Sequence, residues 1–182
     1  MKLTDEQAIS RVKSTIYSWF INGINSCFEV LEKPNSGSPL LVYILVASLV
    51  DCVAGFYCGR TKPGDFGKHY RKFIDNYIKP YDSHLSEWLW DIRCNLVHDF
   101  TLPPNIRLTH NLSQFHNQRL SNNDSILNFE NVFSGVKHGI DKYFSDAVND
   151  RVILANFRKR ASSSLGFVGP KIFNPQEIDT SG

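Results

Sequence analysis

Apolar residues recur every three or four positions over several long stretches of this chain, and runs rich in glycine, proline and asparagine separate them. From about Asp5 to Leu31, the residues Ile9, Val12, Ile16, Trp19, Phe20, Ile24 and Phe28 share one face, which predicts a first helix. Thr4 and Gln7 have the spacing of a capping box, and Asp5 and Glu6 complement the helix dipole in the first turn. Pro34, Asn35, Gly37 and Pro39 then mark a loop. A second helix, about Pro39 to Cys58, is apolar nearly all round and is expected at the centre of a bundle, with Gly59 as its C-terminal cap. A third runs from about Phe66 to Ile78, with Phe66, Tyr70, Phe73, Ile74 and Tyr77 inward and Lys68, Arg71, Lys72 and Asp75 outward. Pro80 ends it.

The fourth helix, Tyr81 to Phe100, is the most informative stretch. At about 100° per residue, Leu85, Trp88, Leu89, Trp90, Ile92, Leu96, Val97 and Phe100 cover one broad apolar arc. His84, Glu87, Asp91, Asn95 and His98 form a polar stripe opposite. After Pro103 and Pro104 the chain becomes polar with short alternations. A small β-hairpin or ordered loop is expected there, about 103–128, with Ser121 to Asp124 as a turn. The last long helix begins at Asn128 as N-cap, carries Val132, Phe133, Val136, Ile140, Tyr143, Phe144, Ala147 and Val148 inward, and is read as able to run on past Asp150. The expected fold is mostly α, a bundle of about five helices with a small β-hairpin or ordered-loop insertion. One domain spans 1–160, and a loosely held Ser-, Gly- and Pro-rich tail spans 161–182.

Composition narrows the function classes without choosing one. At 182 residues, 42% hydrophobic and 21% charged, the chain is an ordinary globular protein able to bury a real core. A formal charge of +2 announces no nucleic-acid binder, although Arg158, Lys159 and Arg160 cluster. Cys27, Cys52, Cys58 and Cys94 have neither CxxC pairing nor zinc-ligand spacing, so free thiols in a reducing cytoplasm are expected. Cys94 and His98 are one helical turn apart, but no second pair completes a metal site. The N-terminus lacks the apolar region of a signal peptide. Leu40 to Tyr57 is nearly long enough to cross a membrane. Asp51 lies inside it, however, at an insertion cost of about 3 kcal/mol, so a buried core helix and a soluble, cytoplasmic protein are expected.

Two charges fall where the pattern wants none. Arg93 projects into the apolar arc of the fourth helix, and Asp51 lies on the most apolar helix. Each needs a partner. Asp51, a second copy of the same helix and a substrate phosphate are the three candidates for Arg93. There is no glycine-rich phosphate loop, no GxSxG, no HExxH and no acidic metal cluster to compete with this feature.

The run Arg93-Cys94-Asn95-Leu96-Val97-His98 resembles the R-x4-6-H motif of HEPN domains, the higher eukaryote and prokaryote nucleotide-binding superfamily. The resemblance covers the bundle, about residues 5 to 150, and its specific part is the motif. It implies an all-α domain of the prokaryotic branch, many of whose members are metal-independent endoribonucleases in toxin–antitoxin and phage-defence systems. It also implies a homodimer, with two motif helices forming one composite cleft, an RNA substrate, a cognate antitoxin and no cofactor. In that reading Arg93 holds the scissile phosphate and His98 acts as acid or base. The family commonly has Asn directly after the Arg, whereas here Cys94 takes that place and Asn95 follows. The residue types suit the chemistry. Imidazole exchanges protons near neutral pH, and a guanidinium grips two phosphate oxygens while staying charged. Asp51 could orient Arg93, and Asp91 or Glu87 could set a histidine tautomer if the stripe with His84 and Asn95 lines the cleft. The alternative is a non-catalytic HEPN-like scaffold that binds nucleotide, RNA or protein. There Arg93 pairs with Asp51, His98 complements the helix end and the stripe is a solvated face.

Overall fold

The computed structural model describes residues 4–31, 39–99 and 101–163. The loop of Pro34, Asn35 and Gly37, the end of the fourth helix at Phe100 and the tail beyond Ser163 lie outside the described residues.

Helices α1 (Asp5–Ile16) and α2 (Asn22–Leu31) form one rod through a π-helical turn, Tyr17–Ile21. Its start follows the expected box: the Thr4 hydroxyl accepts from the Gln7 amide at 3.3 Å, and the Gln7 side chain accepts from the Thr4 amide at 3.0 Å. In the π turn, Tyr17 reaches Asp141, which also receives Lys13 and Lys137 at 3.1 Å each.

Helix α3 (Pro39–Tyr57) is the axis of the molecule. It packs against α2, α4 (Phe66–Phe73), α5 (Leu85–Asp99), α6 (Phe129–Asn149) and α7 (Arg151–Ala161). Val42, Tyr43, Val46, Leu49, Val50, Val53 and Phe56 are buried on different sides of it, which accounts for a sequence with no polar stripe. Leu40–Tyr57 has the length and hydropathy (2.1) of a membrane span, but 56% of that window is buried inside the protein. The bundle itself therefore covers more than half of this apolar helix, which is compatible with a core helix.

Helix α4 runs into a second π-helical turn, Ile74–Ile78, where α6 crosses very closely. A Cβ on Gly139 of α6 would stand 2.6 Å from the Tyr77 carbonyl oxygen. Gly139→Ala is therefore expected to lower stability by about 2 kcal/mol despite its better helix propensity, read as a lower urea midpoint with unchanged m-value. Around this crossing Tyr57, Phe73, Tyr77 and Tyr143 pack their rings at centroid distances of 5.2–6.1 Å.

The C-terminal rod breaks where the expected helix was extended. Asp150 leaves the helical conformation (φ −98, ψ 118) and caps α7 by accepting from the Val152 and Ile153 amides. The expected five helices thus become six rods among the described residues, counting α1 with α2 and α4 with its π turn.

The insertion is a small β element, though its two strands do not form a hairpin. Strands β1 (Ile106–Thr109) and β2 (Ser125–Asn128) pair in parallel, Ile106 opposite Ser125 and Thr109 opposite Asn128. The antiparallel pairing that the alternation suggested survives on the other edge of β2, as a bridge of Arg119 with Ser125 around the 121–124 turn. In that turn Leu120 N–H donates to the Asp124 carbonyl at 2.8 Å and Asn123 adopts φ 69. All four β2 residues are buried, so both edges need partners for their peptide groups. Residues 117–119 supply one edge and β1 the other. Asn128 then caps α6 by accepting from the Asn131 amide at 3.3 Å.

Candidate functional site

On α5, the fully buried side chains among the described residues are Leu85, Leu89, Ile92 and Leu96, a stripe beside which Trp88 and Trp90 of the expected apolar arc are half-buried. Arg93 projects beside this stripe, not within it, and is half-buried. Its misfit is therefore smaller than the sequence pattern implies. The guanidinium lies 5.4 Å from the Trp90 ring centroid, and its Nη1 stands 3.3 Å from His98 Nε2 on the exposed last turn. Arginine has no hydrogen-bond acceptor, so this bond requires an unprotonated Nε2 and a neutral ring carrying its proton on Nδ1.

A second cation meets the same indole. Arg71 of α4 places its guanidinium 4.8 Å from the Trp90 centroid. Gly67, one turn earlier, makes room, since a Cβ there would be 2.8 Å from Trp90 Cζ2. Arg71, Trp90, Arg93 and His98 thus form one accessible, cation-rich surface across α4 and α5. Among the described residues, neither guanidinium is within salt-bridge distance of a carboxylate. The sequence reading missed Arg71, which shows there only as an outward-facing charge on the third helix.

Asp51 is not the partner of Arg93. Its carboxylate receives Arg60 Nη1 at 3.0 Å, and its backbone carbonyl receives Arg60 Nη2 at 3.3 Å. Arg60 folds back along the end of α3 from only nine residues away, whereas Arg93 approaches from another helix. Buried Tyr70, whose hydroxyl has no hydrogen-bond partner among the described residues, feels Asp51 and Arg93 together. Burial pushes its phenol pKa far up, Asp51 adds to that and Arg93 opposes it.

The remaining stripe residues do not join the pair. Asn95 is half-buried and turns its amide back onto the Asp91 carbonyl at 2.8 Å. Asp91 is exposed. Glu87 lies near the start of α5, and its side chain is outside the described residues. His84 precedes α5, about 20 Å along the axis from His98 at 1.5 Å per residue. It lines a separate cleft of about 390 Å³ with Tyr81, Asp82, His116 and His138. Among the described residues, no three His, Cys, Asp or Glu side chains are placed to share a metal ion. The four cysteines are free, and burial pushes the Cys52 thiol up to about 11.

That second cleft is built around a structural fastening. His116 Nδ1 accepts from the Asn128 amide at 3.0 Å, so Nε2 carries the proton that meets Asp82 Oδ2 at 2.7 Å. Asp82 also accepts from the His84 and Leu85 amides and from Asn117, tying the insertion to the start of α5. Burial raises the Asp82 pKa, but His116, the Leu85 amide and Asn117 outweigh it, and the net shift is downward. A depressed folded pKa contributes stability above the unfolded value of about 3.9, and that stability is lost as pH falls through the folded pKa. The urea midpoint is therefore expected to fall below about pH 4. Asp82→Asn, which can still cap the helix, is expected to flatten part of that acid limb, with Glu130 and Asp141 (both also lowered) carrying the rest.

Comparison with protein-family models, with curated proteins and with solved structures finds no match for this chain.

Proposed function

We propose that this chain is a metal-independent endoribonuclease of the HEPN type, in which two protomers bring their Arg93–His98 pairs together in one composite cleft. The observation that carries this reading is the 3.3 Å contact between Arg93 Nη1 and His98 Nε2 on an accessible helix end. A permanent cation beside a proton-exchanging ring, with Arg71 near at hand, suits a phosphodiester better than it suits a core. When Arg93 turns onto the non-bridging phosphate oxygens, Nε2 of His98 becomes free to take the proton of the 2′-OH. The 2′-oxygen then forms its bond to phosphorus as the bond to the 5′-oxygen breaks. The partner protomer's imidazolium delivers a proton to that leaving oxygen. The products are a 2′,3′-cyclic phosphate and a 5′-hydroxyl, and no metal or redox change takes part.

This activity fits a cytoplasmic toxin or phage-defence component restrained by a cognate antitoxin. Purified protein is expected to cut single-stranded RNA or tRNA in EDTA and to sediment as a dimer. RNA left whole by clean protein would remove the enzyme reading.

One observation favours a second reading, a non-catalytic HEPN-like scaffold for nucleotide, RNA or protein. Arg93 already rests on Trp90 with its Nη1 on His98, and so is stabilised without a substrate. RNA binding without cutting would favour it.

A further inference from the structure

The loop between α3 and α4 frames a cleft of about 380 Å³ whose charge is nearly all of one sign. Lys62 enters it from the loop, Lys159 from α7, and Arg60 and His69 line its wall. Asp65 is the one acid among its lining residues. Neither Lys62 nor Lys159 has a carboxylate within salt-bridge distance among the described residues.

Beneath the cleft lies an unbalanced pair of buried cations. Arg60 is 6% exposed and Arg160 is 8% exposed. Arg160 Nη1 donates to the Arg60 carbonyl at 2.8 Å, and both side chains crowd Gly55 closely enough that a Cβ there would meet them at 3.2–3.4 Å. Among the described residues, Asp51 is the single carboxylate paired with them, through Arg60. Among the described residues, the Nε of each guanidinium is buried without a hydrogen-bond partner, and so is Nδ1 of His69. Burial and the proximity of Arg60 lower the Arg160 pKa, and burial followed by Arg60 lowers that of His69. A surplus buried charge of this kind is stabilised by an anion at its edge.

The first turn of α4 adds donors at the same place. Asp65 precedes it in the left-handed conformation (φ 53), and its carboxylate does not cap the helix. The first amides of α4 therefore keep no side-chain acceptor, and the dipole there favours negative charge.

We propose that this cleft is a second phosphate site, one that holds a backbone phosphate of the same RNA strand whose scissile bond lies at Arg93 and His98. The proposal rests on the ribonucleic-acid reading of that surface, but not on catalysis. Arg71 and Trp90 connect the two places. From Asp65 to Arg71 the path along α4 is about 9 Å, short enough for a single strand to cross with its next phosphates over Lys68 and Arg71. This gives the chain a basic track that its net charge of +2 conceals.

The test is anisotropy of a labelled, short single-stranded RNA whose 2′-hydroxyls are methylated, so that it cannot be cut by 2′-OH attack, on the full chain and on Lys62→Ala/Lys159→Ala. Both lysines are exposed, so the fold should be retained, and unchanged circular dichroism would show it. The double variant is expected to bind all sequences about tenfold more weakly, with the slope of log affinity against log salt shallower by about one. Asp65→Asn is expected to bind more tightly than wild type. Equal affinity and equal slope in wild type and the double variant overturn the proposal. In a second arm, inorganic phosphate is added to ¹⁵N-labelled protein. Phosphate that shifts the Gly64 to Lys68 amides while RNA binding ignores the lysines would mark a free-anion pocket and would also overturn the RNA assignment. Weaker RNA binding by the double variant, alongside wild-type protein that never cuts RNA, would uphold the second site and remove only the ribonuclease reading.

Discussion

His98→Ala protein is expected to leave single-stranded RNA whole in EDTA under conditions where the unaltered chain cuts it, a loss of about 10²- to 10⁴-fold in single-turnover rate. An imidazole that moves a proton in the transition state contributes on that scale, and no other histidine stands beside Arg93 among the described residues. Arg93→Ala is expected to cost a similar factor, because in the proposed reaction it removes the charge that would stabilise the phosphorane oxygens. Arg93→Lys is expected to recover little, since an ammonium neither spans two phosphate oxygens nor stacks on Trp90 as a guanidinium does. These changes separate catalysis from folding. His98 is exposed and Arg93 half-buried, so neither truncation opens the core, and the melting temperature should move little. Full activity in His98→Ala would exclude this ring as acid or base.

Asp51→Asn is expected to destabilise the protein by about 3 kcal/mol, with RNA cleavage per folded molecule unchanged. Asp51 itself is 22% exposed, but its partner Arg60 is 6% exposed and Arg160 lies against it at 8%. Loss of this carboxylate leaves two buried guanidiniums facing each other with only backbone carbonyls and the Phe66 and Phe56 rings beside them, and breaking a buried pair from one side typically costs 3–5 kcal/mol. The lower end applies here because water reaches Asp51. Urea unfolding measures the change. A midpoint equal to wild type would show that the surplus charge is compensated elsewhere, and a selective loss of cleavage would place Asp51 in the active site.

The helices were legible in the sequence because burial of one face imposes its period on the residues themselves. The Thr4 box and the Asn128 cap were legible for a related reason, since their partners lie within three residues. Asp150 illustrates where that logic has two solutions. The apolar period continues past it, yet an aspartate that bonds the Val152 and Ile153 amides starts a new helix at lower cost than continuing the old one. The insertion was legible as β-like, but its pairing was not. Parallel partners 19 residues apart, Ile106 and Ser125, leave no turn signature between adjacent strands.

The candidate site divides in the same way. Arg93 and His98 were legible as a motif, but five positions put them about 140° apart on the helix, so the contact of their side chains is a finding of the structure. The pairing of Asp51 was not legible either, because Arg60 looked like an ordinary loop residue until the end of α3 returned it to the helix. Arg71 came to Trp90 only because Gly67 lets α4 and α5 close together.

By itself, then, the sequence determined the helical rods and most of their ends, set by interactions within one or two helical turns, and it marked Arg93 and His98 as a motif. Tertiary structure alone decided which charges meet. It gave Asp51 to Arg60, left Arg93 without a carboxylate among the described residues, and gathered Lys62, Lys159 and His69 from separate elements into one cleft. The physical reason is that apolar periodicity reports burial, which many residues share, whereas an ion pair depends on two particular atoms whose separation is known only once the helices have packed.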